Sequence, residues 1–289
     1  MGWIREGLAL ERGDAGASDR LHAAHPWVLE DNGSLRMWYS GHDGSTWRIL
    51  GAVREADTGW RRLGVAVDAG LAGESDDYGV EAPCVIKTPA GYLMAYGGFD
   101  GEVTRLHMAS SEDGLRWVSQ GTIMQRGQED SVAATDPCLV VTGERWWLFF
   151  SGSDGSEEGR SAAILGAVSQ TGASWDRLGT VLEPASDELA VRDPCVIDTT
   201  RGFCMFFASD YGERVGISMA TSSDGLLWDR HGSVLDGLGE GLEGLTVEAP
   251  CVVRLKDGSL RMWYSTRAGA EEDFAYRICS ARFSGRWVL

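Results

Sequence analysis

The sequence predicts an all-β fold, a five-bladed β-propeller with four antiparallel strands per blade and a ring closed by the N-terminal strand. Three markers support this prediction, because prolines, aromatic runs and tryptophans each recur about every 56 residues. Four short strands joined by tight turns fill a repeat of this length, as in propeller blades. Five repeats fill the 289 residues, so residues 1–289 are expected to form a single domain.

Prolines mark the beginning of the first, innermost strand of each repeat. Successive prolines are 57, 54, 57 and 56 residues apart: Pro26, Pro83, Pro137, Pro194 and Pro250. Each precedes a short apolar run such as Cys84-Val-Ile, which is typical of a buried strand bounded by a turn signal. We therefore expect five equivalent strands.

The second and third strands follow each proline at regular distances. Apolar and aromatic runs, for example Met37-Trp-Tyr-Ser-Gly and Met262-Trp-Tyr-Ser-Thr, predict the second strand. Small residues after an arginine, as in Arg48-Ile-Leu-Gly-Ala and Arg214-Val-Gly-Ile-Ser, predict the third. Turns rich in Gly and Asp separate these runs, so helix is expected to be almost absent.

Tryptophans mark the outermost strand. They recur at intervals of 57, 58, 53 and 59 residues: Trp60, Trp117, Trp175, Trp228 and Trp287. Trp3 lies 57 residues before Trp60, within a segment of similar pattern. The N-terminal segment is therefore expected to supply the outer strand of the last blade, which would close the ring and remove its open sheet edges.

The composition is that of a soluble globular protein. Apolar residues make up 43% and charged residues 24% of the chain, which is too apolar for disorder. A formal net charge of −17 would repel nucleic-acid phosphates and anionic membrane surfaces. The apolar runs are too short to span a membrane and no secretory signal is recognisable, so we expect a cytoplasmic protein that acts on a small molecule.

Four of the six cysteines follow the repeated prolines directly: Cys84, Cys138, Cys195 and Cys251. Because this position recurs at the start of each buried strand, it is interpreted as a packing position. The C-x-x-C pairs of structural zinc sites are absent from the sequence. Reduced, buried cysteines without a metal are therefore expected.

Ionisable residues recur just before the prolines, where the innermost strands begin at one end of the central channel. They are His25, Glu81, Asp136, Asp193 and Glu248. The propeller geometry should bring four carboxylates and one imidazole together at the axis. Like charges close together in a partly dry cavity cannot all ionise, so at least one carboxyl should have a raised pKa suited to acid catalysis.

These features resemble the arabinanase, levansucrase and invertase superfamily of sugar-processing enzymes. The resemblance covers essentially the whole chain and rests on the Asp-Pro and Glu-x-Pro strand starts, the Ser-x-Asp-Gly-x-x-Trp turns ending at Trp117 and Trp228, and the fivefold repeat. In that superfamily a first-blade aspartate is base or nucleophile, an aspartate within Arg-Asp-Pro tunes pKa values, and a glutamate is the acid. The resemblance implies catalytic roles for Glu81, Asp193 and Glu248.

The chain also departs from that pattern. His25 stands where the first-blade aspartate is expected, and neither Asn-Asp-Pro nor Glu-Gly-Pro occurs, which disfavours fructan hydrolysis. Substrate binding is expected from His25, Trp27, Asp136 and Arg192. Packing is the alternative for Trp27, and hydrogen bonding to backbone or arginine groups is the alternative for each acid.

Further acids precede the innermost strands and are expected to surround the pocket: Glu74, Asp76, Asp77, Glu129, Asp130, Asp187, Glu188, Glu240 and Glu243. A negative rim favours a neutral or cationic ligand. No cofactor and no metal are expected, with a Ca²⁺ ion at the channel axis as the open alternative.

Two kinds of function agree with these residues. The first is an intracellular glycoside hydrolase-like enzyme that uses carboxylate acid/base catalysis on a small glycoside or sugar-related molecule. The second is a non-hydrolytic biosynthetic enzyme of the cyclase or lyase type, or a binding module, built on a repurposed glycosidase propeller.

Overall fold

The computed structural model describes residues 2–55, 59–156, 162–268 and 274–285. Twenty β-strands and a 3₁₀ helix at Gly241–Glu243 form the regular structure of these residues, so the all-β prediction is confirmed. Trp287, which the sequence places on an outermost strand, lies outside the described residues. The described part of the chain contains no helix with the length and apolar character needed to cross a membrane.

The strands pair into antiparallel units of four, numbered here in the order of their first strands. Strand β1 (Gly2–Leu10) begins the chain. Unit 1 contains β2 (His22–Asp31), β3 (Ser34–His42), β4 (Trp47–Glu55) and β5 (Gly59–Val67). Unit 2 contains β6 (Gly79–Thr88), β7 (Gly91–Phe99), β8 (Thr104–Ser111) and β9 (Val118–Thr122).

The remaining strands form three further units. Unit 3 contains β10 (Ala133–Thr142), β11 (Arg145–Ser153), β12 (Ala163–Ser169) and β13 (Asp176–Leu182). Unit 4 contains β14 (Ala190–Thr199), β15 (Gly202–Asp210), β16 (Val215–Ser222) and β17 (Asp229–Leu235). Unit 5 contains β18 (Thr246–Arg254), β19 (Leu260–Arg267) and β20 (Tyr276–Ser284), and β1 pairs antiparallel with β20 at its edge.

The first strands of the units contact one another in a cycle. β2 contacts β6, β6 contacts β10, β10 contacts β14, β14 contacts β18, and β18 contacts β2. Buried side chains form five hydrophobic clusters around this cycle, and Trp27 packs against all five. Trp27 therefore lies at the centre of the cycle.

Cysteine and tryptophan side chains link the first strands around this centre. All six cysteines are free and buried, as predicted. Those after the prolines accept a backbone N–H from the next unit: Cys84 from Leu139 at 3.1 Å, Cys138 from Val196 at 3.2 Å, Cys195 from Val252 at 3.2 Å and Cys251 from Val28 at 3.1 Å. Trp27 holds the equivalent position in unit 1, and its Nε1 donates to the Val85 carbonyl at 2.7 Å. Burial raises the pKa of the Cys251 thiol to about 12, so this thiol stays protonated and unreactive.

Candidate active site

The residue before each repeated proline has an unusual backbone conformation. Its φ is positive in every unit: 47° at His25, 52° at Ala82, 51° at Asp136, 56° at Asp193 and 49° at Ala249. A residue before proline is normally extended, and a positive φ is strained for any residue with a side chain. The pairing between first and second strands shifts register at the same point in each unit. These are five equivalent β-bulges, and a bulge re-aims the side chain that it carries.

The bulges divide the predicted site residues into two groups, which corrects the expectation that they occupy one equivalent position. His25, Asp136 and Asp193 are the bulge residues themselves. Glu81 and Glu248 precede the bulge by one residue and pair with Gly97 and Ser265 of their second strands. In the Glu-Ala-Pro units the bulge residue is the alanine, so the acid lies on the other side of the strand.

The three ionisable bulge side chains come together at the centre of the cycle. Nitrogen or oxygen atoms of His25, Asp136 and Asp193 all lie within 4.8 Å of one another. They line a pocket together with Trp27, the bulge alanines and the five prolines. The cavity volume is about 30 Å³, which is enough for a water molecule or an ion.

Serine hydroxyls of the second strands fix the bulge backbones. They accept the backbone N–H of the following unit, Ser265 from His25 at 2.7 Å, Ser40 from Ala82 at 2.8 Å and Ser151 from Asp193 at 3.0 Å. Unit 4 has Ala208 at the serine position, and there Asp193 Oδ2 accepts the Ala249 N–H at 3.0 Å. The Asp193 carboxyl therefore has a fixed orientation. The serine that recurs after the aromatic run is the sequence signal for this arrangement, and it is absent from the predictions made from the sequence.

Asp193 is buried and Asp136 is half-buried, and their surroundings favour the protonated form of both. Burial, and then the charge of Glu81, raise the pKa of Asp136 to about 6. Burial, and then the charge of Asp136, raise the pKa of Asp193 well above its usual range, although Arg192 opposes this shift. One oxygen of each carboxyl group lies within 4.8 Å of the other. Such a pair holds a proton near neutral pH, in agreement with the raised pKa expected from the sequence for at least one carboxyl.

Arg192 connects this pair to Glu248. Its Nη2 lies 2.6 Å from Glu248 Oε2, its Nη1 lies 2.7 Å from Asp210 Oδ2, and its Nε lies 3.9 Å from Asp193 Oδ2. Glu248 is 4% exposed, and its Oε1 is buried without a hydrogen-bond partner among the described residues. A buried unsatisfied carboxylate oxygen often marks a position where a ligand or water binds.

The structure assigns different surroundings to the other two predicted residues. Glu81 is half-buried and lies close enough to raise the pKa of Asp136, but it does not line the axial pocket. Trp27 lines that pocket, yet its N–H is bonded to Val85 and its ring packs against the five clusters. Most of the Trp27 side chain is therefore used for packing, which was the alternative to substrate binding.

Three of the acids expected around the pocket pair with arginines instead, which corrects that expectation for Asp130, Glu188 and Glu243. The partners are arginines of the outermost strands: Arg177 with Asp130 at 2.8 Å, Arg230 with Glu188 at 2.9 Å and Arg5 with Glu243 at 2.6 Å. None of the predicted rim acids in the described residues lines the axial pocket. These pairs fix the position of the loops that lead into the first strands, and removing one partner would leave a buried charge unpaired.

Comparisons with solved structures show the fold. The chain is similar to a glycoside hydrolase with a TM-score of 0.78 and 15% identity, covering 99% of this chain and 93% of that chain. It is similar to a thermostable family-43 glycoside hydrolase with a TM-score of 0.75 and 15% identity, covering 94% and 92%. For Zg3597, a family 117 glycoside hydrolase of the marine bacterium Zobellia galactanivorans, the TM-score is 0.73 at 14% identity, covering 97% and 90%. At these identities the likeness shows that the chain shares the fold of these structures and shows nothing of its reaction or substrate.

Comparisons of sequence add two partial matches. Both are uncharacterized proteins of Mycobacterium tuberculosis, from strains CDC 1551 and H37Rv, 28% and 27% identical over 159 residues. The matches cover 51% of this chain and 52% of each relative, so the chain spans about half the length of the curated relatives it matches. No family model matches the chain.

Proposed function

We propose that the chain is a single-domain, five-bladed β-propeller enzyme that acts on a small glycoside or sugar-related molecule. Units 1 to 5 are the blades. The cyclic contacts of the first strands and the pairing of β1 with β20 support closure of the ring by the N-terminal strand. The likeness to solved glycoside hydrolases supports the reaction class.

The observation that carries the proposal is the proton-holding pair of Asp136 and Asp193 at the axis. Glycoside hydrolysis needs one carboxyl that gives a proton to the leaving oxygen and another group that activates water or attacks the sugar. Burial and mutual repulsion supply a carboxyl that remains protonated near neutral pH. An acidic centre with these properties is poorly explained by stability alone, because it destabilises the fold at neutral pH.

The roles follow from the order of the residues on consecutive blades. The superfamily resemblance gives the order base, aspartate within Arg-Asp-Pro and acidic glutamate along the chain, and Asp136, Asp193 and Glu248 follow one another in that order on β10, β14 and β18. We assign Asp136 as the base, in place of Glu81, and Asp193 as the group that tunes its neighbours. Glu248 is assigned as the acid through Oε1, because Arg192 holds Oε2. In the reaction it relays the proton held by the Asp136–Asp193 pair to the leaving oxygen and returns to the carboxylate that Arg192 neutralises.

Activity against a panel of aryl glycosides tests the proposal. Asp136→Asn and Glu248→Gln should each lower kcat/KM by a factor of 100 or more, on the order of one general acid or base, and should leave the thermal melt cooperative. Asp198→Asn is the matched control, because this exposed acid lies on β14 away from the pocket. Normal turnover by Glu248→Gln would remove Glu248 from the mechanism.

A non-hydrolytic enzyme or a binding module is the second candidate, and the small axial cavity favours it. A volume of about 30 Å³ does not enclose a sugar ring, and His25 replaces the expected first-blade acid. If no glycoside is turned over, candidate biosynthetic intermediates become the substrates to assay.

A Ca²⁺ ion is the alternative occupant of the axis. His25, Asp136 and Asp193 offer three ligand atoms, and bound metal would keep both carboxylates ionised and unable to give a proton. The proton-holding pair predicts that millimolar Ca²⁺ leaves the melting temperature unchanged. A rise that disappears in His25→Ala would assign the axis to a metal instead.

A further inference from the structure

Each unit has a buried acid five or six residues before its bulge: Asp19, Asp76, Asp130, Glu188 and Glu243. In units 3, 4 and 5 an arginine of the outermost strand pairs with this acid, as described above. In unit 1 Arg62 Nε lies 2.8 Å from Asp19 Oδ2. Four of the five buried acids therefore have a guanidinium partner supplied by the chain itself.

The four arginines are held by the same kinds of group. Each donates to the acid and also to a backbone carbonyl where the chain enters its unit: Arg62 to Glu11, Arg177 to Gln125, Arg230 to Glu183 and Arg5 to Asp236. In units 3 and 4 the guanidinium also lies over an aromatic ring of the second strand, 5.9 Å from Phe150 and 5.3 Å from Phe207. Carboxylate, carbonyl and ring together form a receptor for a planar cation.

Unit 2 lacks the arginine. In the outermost strands of the other four units, a glycine with positive φ follows the arginine by two residues. These glycines are Gly7, Gly64, Gly179 and Gly232. The corresponding glycine of unit 2 is Gly121, with φ 80°. Ser119 lies two residues before Gly121, at the position of the arginine in the other units. Its side chain is too short to pair with Asp76.

A cavity lies where the arginine would be. Its volume is about 280 Å³, and its lining includes Asp68, Glu74, Asp76, Tyr96 and Ser119. Asp68 directly follows the last residue of β5, as Glu11 follows the last residue of β1. The Tyr96 hydroxyl lies 3.4 Å from Ser119 Oγ and 3.2 Å from Asp76 Oδ2. Unit 2 therefore has the buried acid (Asp76), the backbone position that supplies the carbonyl (Asp68) and the aromatic ring (Tyr96), but Ser119 takes the place of the arginine.

Asp76 has no lysine or arginine partner among the described residues. Asp76 is 6% exposed, and the cationic candidate beside it is His107, whose Nδ1 lies 3.6 Å from Asp76 Oδ2. His107 is 2% exposed, its Nδ1 is buried without a hydrogen-bond partner, and its ring stacks on Tyr96. Burial lowers the pKa of His107 although Asp76 opposes this, so the imidazole is neutral at pH 7 and does not replace the arginine.

We propose that the cavity of unit 2 binds a guanidinium group supplied by a ligand, in the position that arginine occupies in the other four units. A guanidinium matches the carboxylate and the carbonyl with its fork of N–H donors and can stack on Tyr96, whereas an ammonium group provides one point charge. The chain's net charge of −17 attracts such a cation. The site is separate from the axial pocket, so it does not depend on the proposed function.

Thermal melts with methylguanidinium chloride test this site, with methylammonium chloride at equal ionic strength as the ligand control. For wild type we expect a rise in melting temperature of about 2 °C at roughly ten times the dissociation constant. Ser119→Arg restores the repeat, so it should raise the melting temperature without ligand and abolish the response to methylguanidinium. Gln120→Arg adds the same charge on the neighbouring, exposed residue and should leave the wild-type response intact.

The melts can overturn the proposed guanidinium site, and a peptide can identify the source of the guanidinium group. An equal response of wild type and Ser119→Arg, or an equal effect of methylammonium, would overturn the proposal. If Asp76→Asn folds, it should lose the response; if it does not fold, Ser119→Arg still decides. A capped Gly-Arg-Gly peptide that binds more tightly than methylguanidinium would identify a protein arginine as the source, and equal binding would identify a free guanidinium compound.

Discussion

Arg192→Met should destabilise the fold by about 3 kcal/mol. Arg192 holds Glu248 and Asp210 with contacts of 2.6 and 2.7 Å. Because Glu248 is 4% exposed, losing the guanidinium leaves a buried carboxylate without its counter-charge, which costs about 3–5 kcal/mol. The Arg192 side chain is 27% exposed, so water can screen part of this loss and we expect the lower end of that range.

Urea unfolding of single and double variants measures this coupling. Because Glu248→Gln removes the charge that Arg192 neutralises, Arg192→Met should cost about 2 kcal/mol less in the Glu248→Gln background than in wild type. Arg116→Met is the control, since Arg116 is exposed and its loss should change the free energy of unfolding by about 0.5 kcal/mol or less. Additive effects of the two substitutions, or a loss below about 1 kcal/mol for Arg192→Met, would refute the reasoning.

Two further predictions concern stability. Trp27→Ala should cost about 4 kcal/mol, because it leaves a cavity among five clusters and an unpaired Val85 carbonyl; a loss below about 2 kcal/mol in urea unfolding would contradict the central placement of Trp27. Between pH 4 and pH 6 the native state keeps a proton on Asp136 that the unfolded chain releases, so the free energy of unfolding should fall as pH rises, by up to about 3 kcal/mol. Asp136→Asn should remove this contribution, leave that of Asp193, and be more stable than wild type at pH 7. An unchanged pH slope in this variant would contradict the raised pKa of Asp136.

The repeats in the sequence were sufficient to predict the strands. Pro26 and its four equivalents mark the first strands within a few residues, because proline restricts its own backbone and that of its neighbour. The segment around Trp3 pairs with the third strand of unit 5, as its similarity to the segment around Trp60 suggested.

The site was predicted only in part, because its geometry depends on the bulges. Glu81 and Glu248 share their charge with Asp193 but stand one residue farther from the proline, and the distance from the proline determines which side of the strand a residue faces. A positive φ before proline is the opposite of the ordinary preference, so no local pattern indicated it. The loop acids were misplaced for another reason: Asp130 pairs with Arg177, 47 residues along the chain, and such long-range pairs are visible only in the folded structure.

The most direct test of the proton-holding pair is a titration of the aspartate carboxyl carbons by ¹³C NMR. Wild type should contain a carboxyl that titrates near pH 6, and this transition should be absent from Asp136→Asn. Asp193→Asn should remove the neighbouring carboxyl and its proton, and so change the midpoint of the Asp136 transition. If every aspartate carboxyl of the wild-type protein titrates below about pH 4.5, the normal range for this side chain, the axis holds no proton at neutral pH and the proposed acid/base chemistry is wrong.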